Sequence, residues 1–441
     1  MNLNFRNFGF DLRERILTMR NPGKSVSSYL KTLENYQSKE FGDLSLQKYQ
    51  EDAVADLIST AVENCAFYSK YRNLGFNDFP VVNKGLISSN QKEFISRKYE
   101  TSKLTIMHTS GSTGVPFKVY QNAEKRKRLA AELIYYYGLL GYKVGDPLFF
   151  FAMAARVSRS NSLRLWMQNQ RLFDITDLSG ARIKTLLSEL NNFPQAVVLG
   201  YPTTFEALSN YISSHKMTEL PRLNALVSSG AILDDVTRKR LREALGCQFV
   251  NRYSNQENGV LGQDGELDNI FQVNVAHYYI EILEMESDEA VADGEIGRVV
   301  VTDLYNYAMP MIRYDTGDIA SMETMLISGK KTRVIKDLSG RKLDAIFDEA
   351  DRMVSPHTVV NAVLNSDPEV RQVQVVQIGR GDYVIRIAAE QKRVRQEHIL
   401  QDLRMILGKN ATFKIEFTDD IPILSSGKRR TVVSNYKPMD N

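Results

Sequence analysis

A loop that is rich in glycine and hydroxyl side chains, His108–Pro116, has the residue types that hold an anion. Glycine lets the backbone approach a bound group closely, and hydroxyl groups and main-chain amides donate hydrogen bonds to phosphate oxygens. The loop lacks the Gly-Lys-Ser/Thr ending of the P-loop motif, so a P-loop nucleotide-binding protein is disfavoured. On its own, the segment fits a flexible turn and a phosphate-binding loop equally well.

Four residues elsewhere in the chain have side chains suited to a nucleotide. The ring of Tyr253 can stack on a purine, and the nearby Glu257 can bring a hard oxygen to Mg²⁺. Asp318, at a predicted strand end, can accept two hydrogen bonds from sugar hydroxyls. Lys428, in a Ser-Ser-Gly loop, can neutralise charge that develops on a phosphate. Each of these residues alone is more simply interpreted as an ordinary loop or turn residue.

The composition is that of a globular protein, since 43% of the 441 residues are hydrophobic and 25% are charged. The net charge of +3 gives no footprint for nucleic acid or a membrane surface. Two cysteines, Cys65 and Cys247, exclude a disulfide framework and a four-cysteine zinc site, and both look structural. The first residues lack a signal peptide's apolar run, and no apolar stretch reaches the ~20 residues of a membrane span. We therefore expect a cytoplasmic protein with no zinc, nucleic-acid partner or membrane span.

The elements that would position these residues change character along the chain. From about residue 104 to 260, short apolar runs alternate with helical stretches, which predicts a largely parallel sheet covered on both faces. From about residue 270 the pattern is β-rich, and after Gly340 a compact α+β unit contains a predicted hairpin that turns at Gly379–Asp382. We expect an α/β fold with a large N-terminal domain of mixed, largely parallel sheets and a β-rich subdomain (1–339). A small C-terminal α+β domain (340–441) has the size of a mobile lid.

Seven short blocks occur along the chain and end in an isolated lysine. They are Thr109–Pro116, Ser228–Ala231, Tyr253–Glu257, Gly294–Gly297, Ile312–Asp318, Gly340–Arg341 and Pro422–Lys428. Together they resemble the adenylate-forming superfamily of acyl- and aryl-CoA ligases, peptide-synthetase adenylation domains and luciferases. The chain looks most like the phenylacetate-CoA ligase branch, which includes proteins found with capsule and O-antigen genes. The segments that indicate this branch are Phe67–Tyr71, Pro80–Lys84, Leu199–Thr203 and Asn306–Tyr314.

The resemblance implies a role for each matching residue. The residues that would hold the ATP phosphates are Thr109, Ser110, Gly111, Ser112, Thr113 and Gly114. Those that would line the adenine and the ribose are Ser229, Gly230, Ala231, Tyr253, Asp318 and Arg341. Glu257 would bind Mg²⁺, and Lys428 would bridge the acyl carboxylate and the α-phosphate. The acyl pocket is assigned to Tyr136, Tyr201, Ser229 and Tyr253.

Three features depart from the family pattern. The block normally written Tyr-Gly-x-Thr/Ser-Glu keeps only its aromatic and its acid, at Tyr253 and Glu257. The hinge position, normally Asp or Lys, is Leu343 with Asp344 beside it, and the zinc-binding cysteines of some members are absent.

We expect an AMP-forming ligase that activates a small carboxylic acid with ATP and Mg²⁺. The acyl group would pass to the thiol of CoA or of a carrier protein's phosphopantetheine. Two alternatives stay open: an amine acceptor, such as an amino sugar in polysaccharide biosynthesis, and a non-catalytic nucleotide-binding regulator.

Overall fold

The computed structural model describes residues 25–109, 117–152, 162–215, 217, 219–341, 346–354, 356–367, 369–422 and 429–436. Within these ranges the helices are α1 (Val26–Gln37), α2 (Leu44–Asn64), α3 (Lys84–Ser89), α4 (Gln91–Phe94), α5 (Ala123–Gly138), α6 (Ser162–Met167), α7 (Gly180–Asn191), α8 (Pro202–His215), α9 (Asp235–Leu245), α10 (Pro356–Ser366) and α11 (Gln396–Leu407). The first strands are β1 (Val82–Asn83), β2 (Thr105–Thr109), β3 (Phe117–Gln121), β4 (Leu148–Ala152), β5 (Gln170–Asp174), β6 (Ala196–Gly200), β7 (Leu223–Ser229) and β8 (Gln248–Asn255). The next are β9 (Gly259–Gln263), β10 (Phe271–Val273), β11 (Tyr278–Leu283), β12 (Ile296–Asp303), β13 (Tyr314–Ile327) and β14 (Lys330–Arg341). The last are β15 (Ile346–Phe347), β16 (Met353–Val354), β17 (Gln372–Gly379), β18 (Asp382–Ala388), β19 (Thr412–Thr418) and β20 (Val432–Ser434).

One half of the main sheet is parallel, with its strands in the order β8–β7–β6–β4–β5. Both faces of these strands are buried, as their near-continuous apolar runs predict. In β6, for example, Val198 packs on the face covered by α7, α8 and α9, whereas Val197 faces the cluster that contains Tyr137 of α5. The sheet of alternating strands and helices expected between residues 104 and 260 is therefore present.

The other half of the main sheet is antiparallel and continues from β8 in the order β9–β10–β14–β13–β12–β11. The short strand β1 adds in parallel to β13. This half forms the expected β-rich region, and its strand β14 runs on to Arg341.

A separate four-stranded sheet, β19–β18–β17–β20, lies in the C-terminal part of the chain. Strands β17 and β18 form the predicted hairpin, and Gly381 has a φ of 68°, which is the left-handed conformation that its tight turn requires. Helices α10 and α11 pack on this sheet around Val363, Ile385 and Leu403. The expected compact α+β unit is thus observed, and the division of the whole chain at residue 339/340 stays a prediction.

The first two helices of the described chain dock on backbone that is distant in sequence. Gln37 donates through Nε2 to the carbonyl of Val273 at 2.6 Å, and Gln50 donates to the carbonyl of Val275 at 2.8 Å. The apolar face of α2 ends at Cys65, which is fully buried beside Tyr68, so the structural role expected of this cysteine is confirmed. Among the described helices, none combines the length and the apolar character that crossing a membrane needs.

Candidate nucleotide site

The carboxyl ends of three neighbouring parallel strands bring several predicted site residues to one edge of the sheet. Strand β6 ends at Gly200, next to Tyr201, and strand β7 ends at Ser229. The hydroxyl of Ser229 lies 3.0 Å from that of Ser254 near the end of β8. Gly230 follows with a φ of 93°, which only glycine adopts without strain. This edge is where open α/β sheets bind ligands.

Tyr253 and Asp318 are in direct contact across the junction of the two halves of the sheet. The Tyr253 hydroxyl donates a hydrogen bond to Oδ2 of Asp318 at 2.8 Å, and the tyrosine is only 7% exposed. Burial, together with the charge of Asp318, raises the pKa of Tyr253 well above its usual range, so the phenol remains a proton donor. In the pairing of β13 and β14, Asp318 is the partner of Arg341. The two residues predicted to hold a ribose are therefore neighbours on the backbone.

Glu257 lies in the turn between β8 and β9 and is 9% exposed. Its carbonyl accepts a hydrogen bond from Nε2 of Gln121 at 3.3 Å, and Gln121 ends strand β3. Strand β3 pairs with β2 so that Thr109 and Phe117 are partners. The ends of the predicted phosphate loop are thus held together on a hairpin whose last residue contacts the Glu257 turn.

Five buried side chains, which we call the Glu132 cluster, pack against the turn that contains Glu257. They are Lys125, Glu132, His277, Tyr278 and Asp303. Lys125 lies 2.8 Å from Oδ2 of Asp303, and both side chains are at most 1% exposed. Glu132 accepts from His277 Nδ1 at 2.7 Å and from the Tyr278 hydroxyl at 2.8 Å through Oε1, and from the backbone nitrogen of Val260 at 3.1 Å through Oε2. The cluster therefore bonds directly to backbone three residues beyond Glu257.

The charge states within the Glu132 cluster follow from these contacts. Burial alone raises the pKa of Glu132, but the hydrogen bond from His277 and the charge of Lys125 outweigh it, so the net pKa is lowered. Burial lowers the pKa of His277, and the bond to Glu132 only partly offsets this. The cluster thus holds a carboxylate and a neutral imidazole at neutral pH.

Gly259 allows the turn to sit directly on the Glu132 cluster. A Cβ at this position would lie 2.5 Å from the Tyr278 hydroxyl and 2.6 Å from Oε2 of Glu132, and the φ of Gly259 is 139°. Only glycine fits at that approach. The backbone that carries Glu257 is therefore fixed by close packing as well as by hydrogen bonds.

The residues present fit a magnesium ion held mainly by a substrate. No three histidine, cysteine, aspartate or glutamate side chains converge on a metal site within the described ranges. Mg²⁺ usually keeps several waters and takes one or two protein carboxylates together with substrate phosphates. Glu257, which is 9% exposed in the turn between β8 and β9, would supply one such carboxylate.

The two tyrosines assigned to the acyl pocket lie in different surroundings. Tyr201 is half-buried at the end of β6, where it packs on the core beneath α8. Tyr136 is fully buried in α5, and its backbone carbonyl accepts from Gln263. Among the described contacts none joins Tyr136 to Ser229 or Tyr253, so its place in an acyl pocket stays a prediction.

Several predicted site residues lie outside what the structure describes. These are Ser110, Gly111, Ser112, Thr113, Gly114, Lys428 and the hinge residues Leu343 and Asp344, together with the side chains of Thr109 and Arg341. Ala231 is described and is exposed, next to Gly230.

Comparison with solved structures identifies the fold. The chain has the fold of 2-hydroxyisobutyryl-CoA ligase, with a TM-score of 0.70 and 17% identity over 88% of each chain when that ligase is in its postadenylation state with R3-HIB-AMP. For the same ligase in its thioesterification state the TM-score is 0.56, with 19% identity over 88% of this chain and 90% of that one. The fold is therefore that of the acyl-CoA ligases of the adenylate-forming superfamily, as the sequence blocks predicted.

The sequence relatives are more specific. Residues 346–435 match the family described as the CapK C-terminal domain. The chain is 23% identical to Protein CapK of Staphylococcus aureus over 98% of its own length and 97% of that protein. It is 24% identical to a phenylacetate-coenzyme A ligase of Thermus thermophilus over 44% of this chain and 45% of that one. Its homologues are thus CapK and the phenylacetate-CoA ligases.

Proposed function

We propose that this chain is an AMP-forming ligase that activates a small carboxylic acid as its acyl-adenylate and then transfers the acyl group to the thiol of CoA or of a carrier protein. One observation carries the proposal: residues predicted separately from distant blocks lie together near the end of β8, where Ser254 contacts Ser229 and the neighbouring Tyr253 donates to Asp318. The Glu257 turn and the hairpin of the predicted phosphate loop are joined by Gln121.

In the proposed reaction a carboxylate oxygen attacks the α-phosphorus of ATP, the bond to the β-phosphate oxygen breaks, and pyrophosphate leaves. The ring of Tyr253 stacks by the adenine. Asp318 accepts hydrogen bonds from the ribose hydroxyls, and Arg341 also binds the ribose. Glu257 would hold Mg²⁺, which would neutralise phosphate charge when bound. Lys428 bridges the carboxylate and the α-phosphate. In the second step a thiol attacks the acyl carbonyl and AMP leaves.

Two domains share this work in the proposal. Residues 1–339 bind ATP and the acid, and residues 340–441 form the lid that carries Lys428. The requirement for ATP and CoA puts the reaction in the cytoplasm.

A second candidate acceptor is an amine such as that of an amino sugar. The specific observation in its favour is the similarity to Protein CapK, which extends over 98% of this chain, whereas that to the phenylacetate-CoA ligase covers 44%. The capsule-associated branch thus accounts for more of the molecule. Release of AMP from a preformed acyl-adenylate, measured with CoA and with glucosamine as acceptors, separates the two candidates.

Pyrophosphate exchange with ATP tests the activation step. Phenylacetate, 2-hydroxyisobutyrate, fatty acids and amino acids are screened as substrates, and at least one should support exchange. Lys428→Ala should then lower the exchange rate by roughly a hundred- to a thousandfold, because it removes a preorganised charge from the transition state. The matched control is Lys409→Ala, an exposed lysine of the same domain, which should stay near the parental rate. ATP binding without exchange for any acid would instead support the non-catalytic regulator.

A further inference from the structure

The residue after Lys428 makes a buried contact between the two parts of the chain. The guanidinium of Arg429 is ion-paired with Glu206 of helix α8, and the side chains are 6% and 16% exposed. The same guanidinium donates through Nε to the carbonyl of Ile421 at 2.9 Å. Arg429 and Ile421 flank the segment that contains Lys428. One side chain therefore joins both ends of that segment and anchors them on the N-terminal part.

Strand β17 fixes the same two flanks from the other side. The backbone nitrogen of Ile421 donates to Oε1 of Gln372 at 2.8 Å, and the backbone nitrogen of Val375 donates to the carbonyl of Thr431 at 2.8 Å. Both flanks are therefore tied to one strand of the C-terminal sheet.

The charges around Glu206 make the loss of its ion pair with Arg429 energetically unfavourable. Burial raises the pKa of the Glu206 carboxyl, Arg429 opposes this, and Asp234 and Asp420 add to the increase, so the net pKa is above its usual value. Without the guanidinium, Glu206 would be a buried carboxylate that faces two other acids. Removing one partner from such a pair is strongly unfavourable.

A second contact between the two parts lies at the start of helix α9. Asn361 of α10 donates to Oδ2 of Asp235 at 2.8 Å, and the backbone nitrogen of Asp235 donates back to Asn361 Oδ1 at 3.3 Å. Val236, the next residue, packs against the core of the C-terminal unit. Two polar contacts thus fix the orientation of the C-terminal unit, and the one at Arg429 is adjacent to Lys428.

We propose that Glu206 and Arg429 are a positioning pair that sets Lys428 for acyl-adenylate formation. The inference rests on the proposed function, since it acts through Lys428. The pair joins the C-terminal unit to helix α8 at the residue that follows Lys428.

A distance between spin labels tests the pair independently of any activity. Labels are attached in the full chain through Lys184→Cys on α7 and His398→Cys on α11, both exposed positions. Burial raises the pKa of Cys65 to about 12 and that of Cys247 to about 11, so the native thiols react slowly. We expect one main distance in the parent and a broadened or shifted distribution after Arg429→Ala.

Exchange kinetics test whether the pair serves Lys428. Arg429→Ala and Glu206→Gln should each lower the exchange rate by at least about tenfold, because each strands a buried charge partner. Their ATP dissociation constants should stay within about twofold of the parent, since the pair acts through position and not through nucleotide contact. The double variant should be no worse than the single ones by more than about twofold. Arg429→Lys should recover part of the rate, and Arg430→Ala, the exposed neighbour, is the matched control.

The outcomes separate this inference from the proposed function. If the parent shows no exchange with any acid, the proposed function fails, and the label distances alone decide on the pair. An unchanged distance distribution in Arg429→Ala overturns the inference whatever the activity. A changed distribution with a parental exchange rate also overturns it, as does an equal loss of rate and ATP affinity.

Discussion

Replacing Asp318 with alanine probes the nucleotide site through a contact that the structure defines. Asp318 accepts a hydrogen bond from the Tyr253 hydroxyl at 2.8 Å, and in the proposed complex it also accepts from two ribose hydroxyls. A hydrogen bond to a charged group contributes about 1.5–3 kcal/mol. Since about 1.4 kcal/mol corresponds to a tenfold change in affinity, Asp318→Ala should weaken ATP binding by roughly tenfold or more.

The same substitution has a separate effect on folding. Tyr253 is buried, and without Asp318 its hydroxyl keeps Thr316 as a hydrogen-bond partner. Stranding a buried polar group costs about 1–3 kcal/mol, and the remaining partner puts the expected loss of unfolding free energy at the low end of that range. Adding Tyr253→Phe removes the stranded hydroxyl. The double variant should therefore regain stability without regaining ATP affinity.

Calorimetric titration and urea unfolding measure the two effects. ATP and 2′-deoxy-ATP are titrated into the parent, Asp318→Ala and the double variant with Tyr253→Phe. The parent should bind 2′-deoxy-ATP about tenfold or more weakly than ATP, because one hydrogen bond to a charged group is lost. Asp318→Ala should show a much smaller difference between the two nucleotides. Equal differences in both proteins would refute the assignment of Asp318 to the ribose.

Two further predictions concern the Glu132 cluster. Gly259→Ala should lower the free energy of unfolding by about 1–3 kcal/mol in urea titrations, because the added Cβ would collide with the cluster. The control is Gly265→Ala, which should change the free energy of unfolding little, because the space around its Cβ is open. Equal effects of the two substitutions would contradict the packing argument. Burial holds the pKa of His277 in the folded chain below its usual value of about 6.5, so as pH falls through 6.5 the unfolded chain binds a proton that the folded chain does not. Stability due to this residue is therefore complete above pH 6.5 and falls below it by up to about 1.4 kcal/mol per pH unit. His277→Gln should reduce the loss of unfolding free energy between pH 6.5 and 5.5. The same substitution at the exposed His398 should not reduce it. Parallel plots of unfolding free energy against pH for His277→Gln and the parent would count against a neutral buried imidazole.

Strands of both sheets could be predicted from the sequence because their residue patterns are local. The runs around Val197 and Val227 are apolar enough to be buried on both faces of the main sheet. In the C-terminal sheet, the Gly379–Asp382 turn predicts the β17–β18 hairpin. Tyr137 also follows its local pattern, since an aromatic residue within a helical stretch is more often core.

The supports of the site could not be predicted in the same way. Lys125 and Glu132 lie in a highly charged helix, and such a pattern usually belongs to a solvated face. They are buried because their partners, Asp303 at the end of β12 and His277 in the turn before β11, lie well over a hundred residues away in the sequence. No local periodicity encodes such a pairing. The contact of Arg429 with Glu206 was missed for the same reason, since 223 residues separate the two.

The docking of the first two helices has a consequence for synthesis on the ribosome. Gln37 and Tyr49 bond to the carbonyls of Val273 and Ala276, which follow them by 236 and 227 residues. At translation speeds of about 5–20 residues per second, those partners emerge roughly 10 to 50 seconds after the helices. The apolar cluster around Leu57 and Cys65 also includes Met309 and Ile312, which are synthesised later still. In the nascent chain, helices α1 and α2 therefore lack part of their native contacts until the second half of the sheet is made, and this interval is when chaperones would bind the segment.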